Sequence, residues 1–179
     1  VWQSALFSKA FALALEAHAS QVIPGSNRPY IEHVAAVMME ALKAALTDNH
    51  LNYDLIICCA MLHDVVEDTS VSIESIEEQF GRQVAMGVSA LTKNETLPKE
   101  KRMSDSLERI LALQMPEINI VKMADRCDNL RQPPPHWDNQ KIKNYYEEAI
   151  YILETLRGVN RAIENCLAER IENYRRYWQ

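Results

Sequence analysis

Ala60-Met61-Leu62-His63-Asp64-Val65-Val66-Glu67-Asp68-Thr69 sets one histidine and three acids into six positions at the end of an apolar segment. The stretch before it, Leu55-Ile56-Ile57-Cys58-Cys59, is apolar on every side and reads as a largely buried helix from Tyr53 to about Val66. Apolar residues draw that helix into a core and leave the polar cluster at its edge. Buried charges are tolerated mainly when they are paired or bind a metal. The run therefore asks for a cation, and other parts of the chain must supply the remaining ligands.

Outward from this run the chain reads as all-α. It has only four glycines and little β-branched alternation. Helices are expected from Trp2 to His18, Tyr30 to about Leu46, Ser72 (as N-cap) to Phe80, Arg82 to Leu91, Met103 to Leu113 and Glu117 to Leu130. Two long ones close the chain, about Asn139–Leu156 and Asn160–Tyr177. Pro24-Gly25-Ser26-Asn27-Arg28-Pro29 and Pro133-Pro134-Pro135 break the pattern, because proline lacks a donor and restricts its predecessor. Lys93 to Lys99 is polar and loop-like. With no linker, repeat or low-complexity tract, residues 1–179 read as one domain.

The chain is 47% apolar, which suits a folded globule, and no stretch nears the roughly 20 apolar residues of a membrane span. Val1-Trp2-Gln3-Ser4 reads as a clipped edge without signal-peptide character. Cys58, Cys59, Cys127 and Cys166 lack metal-binding spacing and read as reduced thiols in or near the core of a cytoplasmic protein. A net charge of −6 argues against a nucleic-acid surface. It leaves room for a small polyanion, whose binding a metal and a local basic patch can support.

His33 lies early in one expected helix, His63 and Asp64 end another, and Asp125 lies in a third. Two imidazoles and two carboxylates form a mixed N/O set suited to Mn²⁺, Fe²⁺ or Zn²⁺. Four protein ligands leave positions on a six-coordinate ion for water and a substrate oxygen, as hydrolysis requires.

His33, the His63-Asp64 doublet and Asp125 resemble the H…HD…D pattern of the HD phosphohydrolase superfamily. Pro29-Tyr30-Ile31-Glu32-His33, Leu62-His63-Asp64-Val65-Val66-Glu67-Asp68-Thr69, Leu91-Thr92-Lys93 and Val121-Lys122-Met123-Ala124-Asp125-Arg126-Cys127-Asp128-Asn129-Leu130 resemble the hydrolase domain of RelA/SpoT proteins. Thr96-Leu97-Pro98-Lys99 and Leu156-Arg157-Gly158-Val159-Asn160 look more like the stand-alone small alarmone hydrolases. The resemblance spans nearly the whole chain. It implies an HD-domain helical bundle and a Mn²⁺-dependent 3′-pyrophosphohydrolase of guanosine alarmones. Carried over, His33, His63, Asp64 and Asp125 hold the metal, and Glu67 and Asp68 orient or deprotonate the attacking water. Asn129 supports the site and the substrate ribose. Lys93, Lys99, Arg102, Lys122 and Arg126 are candidates to neutralise the pyrophosphate, and Tyr145 to stack on a purine.

One stretch departs from the family. In Gln21-Val22-Ile23-Pro24-Gly25-Ser26-Asn27-Arg28, apolar Val22-Ile23 stands where basic residues are usual. This bears on the base more than on the chemistry, and brings in adenosine alarmones and other nucleotides with a 3′ or 2′ phosphate. The alternatives are a broader HD nucleotide phosphatase, including one acting on NADPH, and a non-catalytic nucleotide-binding HD module. No synthetase or regulatory segment follows the hydrolase-length stretch, so hydrolysis without alarmone synthesis is expected. His18 and His136 read as structural or surface residues and Asp128 as a helix-surface acid. Tyr174 and Trp178 suit packing on the domain or on a second chain.

Overall fold

The computed structural model describes residues 3–178. Val1 and Trp2, where the sequence places the start of the first helix, and Gln179 lie outside the described residues. Ten α-helical segments follow one another among the described residues: α1 Ser4–Ala17, α2 Ile31–Ala45, α3 Tyr53–Leu62, α4 Val65–Asp68, α5 Ile73–Phe80, α6 Arg82–Leu91, α7 Lys99–Leu113, α8 Pro116–Asn129, α9 Asn139–Leu156 and α10 Arg161–Tyr174. A 3₁₀ turn, Arg175–Tyr177, ends them. The β pairing among these residues is one isolated antiparallel bridge, Val22 to Pro29.

Helix α3 is the centre. Every side chain from Leu55 to Leu62 is buried, as a helix apolar all round demands. Its start is fixed by Asn52, whose Oδ1 accepts from Leu55 N at 3.1 Å while its own amide donates to Glu117 Oε1 at 2.8 Å. That second bond ties the start of α3 to the start of α8. Helices α1, α2 and α8 pack on α3, and α10 packs on α8 and α9. Small residues at Ala41, Ala44 and Ala45 line the buried stripe of α2. Gly87 of α6 lets that helix approach α3 and α8 closely. A Cβ there would lie 2.5 Å from Ile118 Cδ1 and 2.7 Å from Cys59 Sγ.

Several boundaries follow from side-chain chemistry. Ser72 caps α5, Asp138 caps α9 and Asn160 caps α10. Glu164 Oε1 gathers the amides of Gly158, Val159 and Asn160 at 2.9, 3.0 and 3.1 Å, where Gly158 has a φ of +94°. Two boundaries differ from the sequence reading by a full turn, and α10 gives way to the 3₁₀ turn after Tyr174, short of the expected Tyr177. Helix α7 begins at Lys99, not Met103, because its first turn, Lys99-Glu100-Lys101-Arg102, is charged and lacks apolar periodicity. Helix α3 stops at Leu62 and does not run on to Val66. There the His63 imidazole donates from Nδ1 to the Ala60 carbonyl at 2.8 Å, the acceptor an unbroken helix offers to the amide of residue 64.

Tyr174 is fully buried, and the Trp178 ring lies 5.3 Å from that of Tyr146, so both pack on the domain. No helix of the described residues is long and apolar enough to cross a membrane.

Candidate active site

The break after α3 turns His63 and Asp64 toward His33 on α2 and Asp125 on α8. Ligand atoms of His33, His63 and Asp64 lie within 4.8 Å of one another. Asp64 Oδ2 is 2.9 Å from His63 Nε2 and 3.7 Å from His33 Nε2. Asp125 Oδ1 is 3.8 and 3.5 Å from the same two nitrogens. Both imidazoles are buried. All four residues named as ligands from the sequence therefore meet in one place.

The donors suit a cation. His63 Nδ1 is committed to Ala60, which leaves the buried Nε2 to face the acids, 2.9 Å from Asp64 Oδ2. His33 Nδ1 donates to Asp128 Oδ2 at 2.7 Å, so its Nε2 likewise faces the two acids. A partner on the far ring nitrogen is the usual way of orienting an imidazole ligand. Burial opposes charge on His33, but hydrogen bonds with Asp125, Asp128 and Asp64 outweigh it and hold its pKa up at about 12. Burial likewise opposes charge on His63, and Asp64 outweighs it. Burial also works against ionised Asp64 and Asp125, yet the imidazoles, with Lys122 for Asp125, hold both below the usual carboxylate range. A site that draws protons onto buried imidazoles draws a divalent cation by the same field, with release of those protons.

Asp128 corrects the sequence reading. It is not a surface acid: its side chain is 12% exposed, bonded to His33 and paired through Oδ1 with Arg131 Nε at 2.8 Å. Its spacing was the available signal, since Asp125 and Asp128 at i and i+3 share one face of α8. Asp128→Ala is expected to weaken divalent-metal affinity by about 10- to 100-fold, as loss of such orienting partners does. A competitive metal-chelator titration measures this.

Further residues surround the cluster. Asn129 Nδ2 donates to Asp125 Oδ1 at 2.5 Å, and the buried Lys122 ammonium lies 3.7 Å from Asp125 Oδ2. Burial lowers the Lys122 pKa more than Asp125 restores it. The Tyr30 hydroxyl, a contact the sequence reading did not foresee, donates to Asp64 Oδ2 at 2.5 Å. Glu67 is held at both oxygens by Lys93, from its amide and its ammonium, each at 2.8 Å. Asp68 is open to solvent on one side. Partial burial, then the charges of Asp64 and Glu67, lift its pKa above the usual range.

A cleft of about 460 Å³ runs from His33 past Asp128 and Asn129 to Tyr145. Its lining includes the hairpin residues Ile23, Pro24 and Arg28 and the segment Pro133-Pro134-Pro135 with Trp137. Gly25, at a φ of +79°, lets the hairpin and the proline segment meet closely, since a Cβ there would lie 2.5 Å from Pro135 Cδ. The cleft's arginines are Arg28, ion-paired with Glu32, and Arg131, paired with Asp128. The expected cations sit elsewhere. Arg126 is buried, paired with Glu148, and stacks 3.9 Å over the Tyr145 ring. Arg102 donates to the carbonyls of Leu97 and Glu95 at 3.0 and 2.9 Å, bracing the loop before α7. Lys99 is exposed at the start of that helix.

The HD domain family model matches residues 10–160. Among curated relatives, the chain is 32% identical over 149 residues to the guanosine-3′,5′-bis(diphosphate) 3′-pyrophosphohydrolase MESH1 of Mus musculus, covering 80% of each chain. It is 31% identical over 159 residues to the GTP pyrophosphokinase rsh of Brucella suis, covering 86% of this chain and 20% of that one. A solved structure of a metazoan ortholog of SpoT, described as hydrolyzing ppGpp, superposes with a TM-score of 0.81 at 28% identity over 100% of this chain and 99% of the other. The buried two-histidine, two-carboxylate cluster, the helical architecture and these similarities agree: the chain belongs to the HD domain family, alongside the MESH1 3′-pyrophosphohydrolases.

Proposed function

We propose that the chain hydrolyses the 3′-pyrophosphate of (p)ppGpp-type alarmones, with water giving pyrophosphate and GDP or GTP. The observation that carries this reading is the cluster of His33, His63, Asp64 and Asp125, whose His33 lines a cleft of about 460 Å³. The relatives named for this activity support it. The cluster would hold a divalent cation, Mn²⁺ being the ion the resemblance implies. Such an ion makes bound water more acidic and polarises a phosphoryl oxygen.

The chain's own groups supply the rest. Asp68, solvent-accessible and of raised pKa, takes the proton of the attacking water. Glu67 fixes Lys93, whose ammonium stands ready to offset negative charge near the carboxylates. Asn129 keeps Asp125 oriented and faces the cleft. Tyr145 offers the cleft a ring edge beside Trp137, at a centroid distance of 5.1 Å, while Arg126 covers one of its faces. Lys99, Arg102 and Lys122 remain substrate candidates on the resemblance alone. We read residues 1–179 as one such domain, since one apolar core takes residues from all ten helices. We place it in the cytoplasm, with a small nucleotide and no nucleic acid as its partner.

A second reading has its own support. Ile23 and Pro24 line the cleft, and the neighbouring Arg28 is paired with Glu32. That apolar wall suits adenine as well as guanine and keeps pppApp and NADPH in play. The test is product analysis with ppGpp, pppApp and NADPH, protein and Mn²⁺ side by side. Pyrophosphate released from ppGpp carries the first reading. Phosphate released from NADPH alone moves the protein to the second. No product from any of them leaves a nucleotide-binding module.

A further inference from the structure

We infer that His18, Gln21 and Tyr30 form a positioning clamp that grips both ends of the single turn α4, and so sets the placement of its acids. This rests on the reading that the α4 acids act on the attacking water. Helix α4 has four residues, too few to hold itself by its own ladder. Its interior help is modest: Asp68 N bonds Asp64 O at 2.9 Å, and Thr69 Oγ1 donates to Val65 O at 2.6 Å. Val65 anchors it in the core and Lys93 holds Glu67; its two ends are held by the hairpin of residues 21–30.

At the C-terminal end of α4, Gln21 Nε2 donates to the Asp68 carbonyl at 2.9 Å. Such end carbonyls have no partner within their own helix. At the N-terminal end, Tyr30 grips Asp64. The two grips are joined, because Tyr30 N donates to Gln21 O at 3.0 Å. Gln21 is itself held. His18 Nδ1 donates to Gln21 Oε1 at 2.7 Å, and Gln21 N donates to His18 O at 3.0 Å.

The polarity of this chain is determined at every link. The Asp68 carbonyl only accepts, so the Gln21 amide must present its NH₂ there and its oxygen to His18. His18 must then carry its proton on Nδ1. Its Nε2 is buried without a hydrogen-bond partner, so this 2%-exposed histidine makes its polar contact through one ring nitrogen, Nδ1. A buried imidazole with one ring nitrogen unpartnered is costly as mere packing. Its ring also lies against that of Tyr30, 4.9 Å between centroids, bracing the second grip. The same hairpin supplies Ile23 and Arg28 to the cleft wall, so contact with a bound nucleoside bears directly on the α4 acids.

The test exploits the two ring positions. Asparagine places an N–H where His18 Nδ1 stands, whereas glutamine places its amide at the Nε2 position. Wild type, H18N and H18Q are compared in steady-state ppGpp hydrolysis with Mn²⁺, and in backbone hydrogen exchange over residues 64–71 of the resting protein. The expected result is a kcat loss of about 10- to 100-fold in H18Q with KM within about twofold, and H18N within about threefold of wild type. Exchange over 64–71 rises in H18Q and not in H18N. Equal loss in both variants, or wild-type behaviour in both, overturns the clamp. Hydrogen exchange needs no turnover, so it judges the clamp even if ppGpp proves not to be the substrate.

Discussion

Asp64→Ala removes alarmone hydrolysis, with kcat/KM falling on the order of 10³-fold or more, equal to about 4 kcal/mol of barrier. Asp64 Oδ2 reaches both imidazole Nε2 atoms, at 2.9 Å from His63 and 3.7 Å from His33. Without it two neutral nitrogens and Asp125 remain, a set of weaker charge for a divalent ion. The loss is chemical, not a failure to fold, and a second substitution separates the two. Asp64→Asn keeps an oxygen for the Tyr30 hydroxyl and nearly the same volume but discards the charge. It is expected to lose activity to a similar degree. Thermal denaturation gives an independent reading. Metal at 100 times its Kd stabilises a binding protein by about 2.7 kcal/mol. Wild type should show that Mn²⁺-dependent rise in Tm, and both variants should lose most of it. Either variant turning over ppGpp within about tenfold of wild type, or keeping the Mn²⁺-induced shift, removes Asp64 from the ligand set.

The site was legible in sequence to the extent that residue type alone determines chemistry. His33, His63, Asp64 and Asp125 could be named because only a few side chains bind metals, and the helices that carry them show plainly in the apolar pattern. Helix α3 could be read from its unbroken apolar run. What could not be read depends on partners far away in sequence. Asp128 looks like any helix-surface acid until α2 brings His33 to it across 95 positions. Arg126 and Arg102 are basic residues in suggestive boxes, yet one closes on Glu148 and Tyr145 and the other on two loop carbonyls. His18 was unremarkable because its partner's other contact, Asp68, lies 47 positions beyond Gln21. The end of α3 was missed for a local reason: helix propensity does not register a histidine that takes the carbonyl three residues behind it.

The two acids of α4 are adjacent in sequence, and the structure separates their work. Glu67 has both oxygens engaged by Lys93, so it has little capacity left to accept a proton from water. Asp68 has its carboxyl open to solvent, its main chain anchored by Gln21, and a pKa raised by burial and by the charges of Asp64 and Glu67. Asp68→Asn should therefore cost about 10²- to 10⁴-fold in kcat, the range of a lost general base, with the Mn²⁺-induced Tm rise intact. Glu67→Gln should cost less, about tenfold, chiefly by loosening Lys93, since an amide keeps one oxygen to accept and gives up the charge-assisted bond. The pH profile discriminates further. A base must be deprotonated to act, so kcat falls as pH drops through its pKa. The wild-type acid limb should lie above the usual carboxylate range, persist in Glu67→Gln and vanish in Asp68→Asn. If Glu67→Gln were the more damaging and Asp68→Asn kept the acid limb, the base would be Glu67, and Lys93 would have to release it when substrate binds.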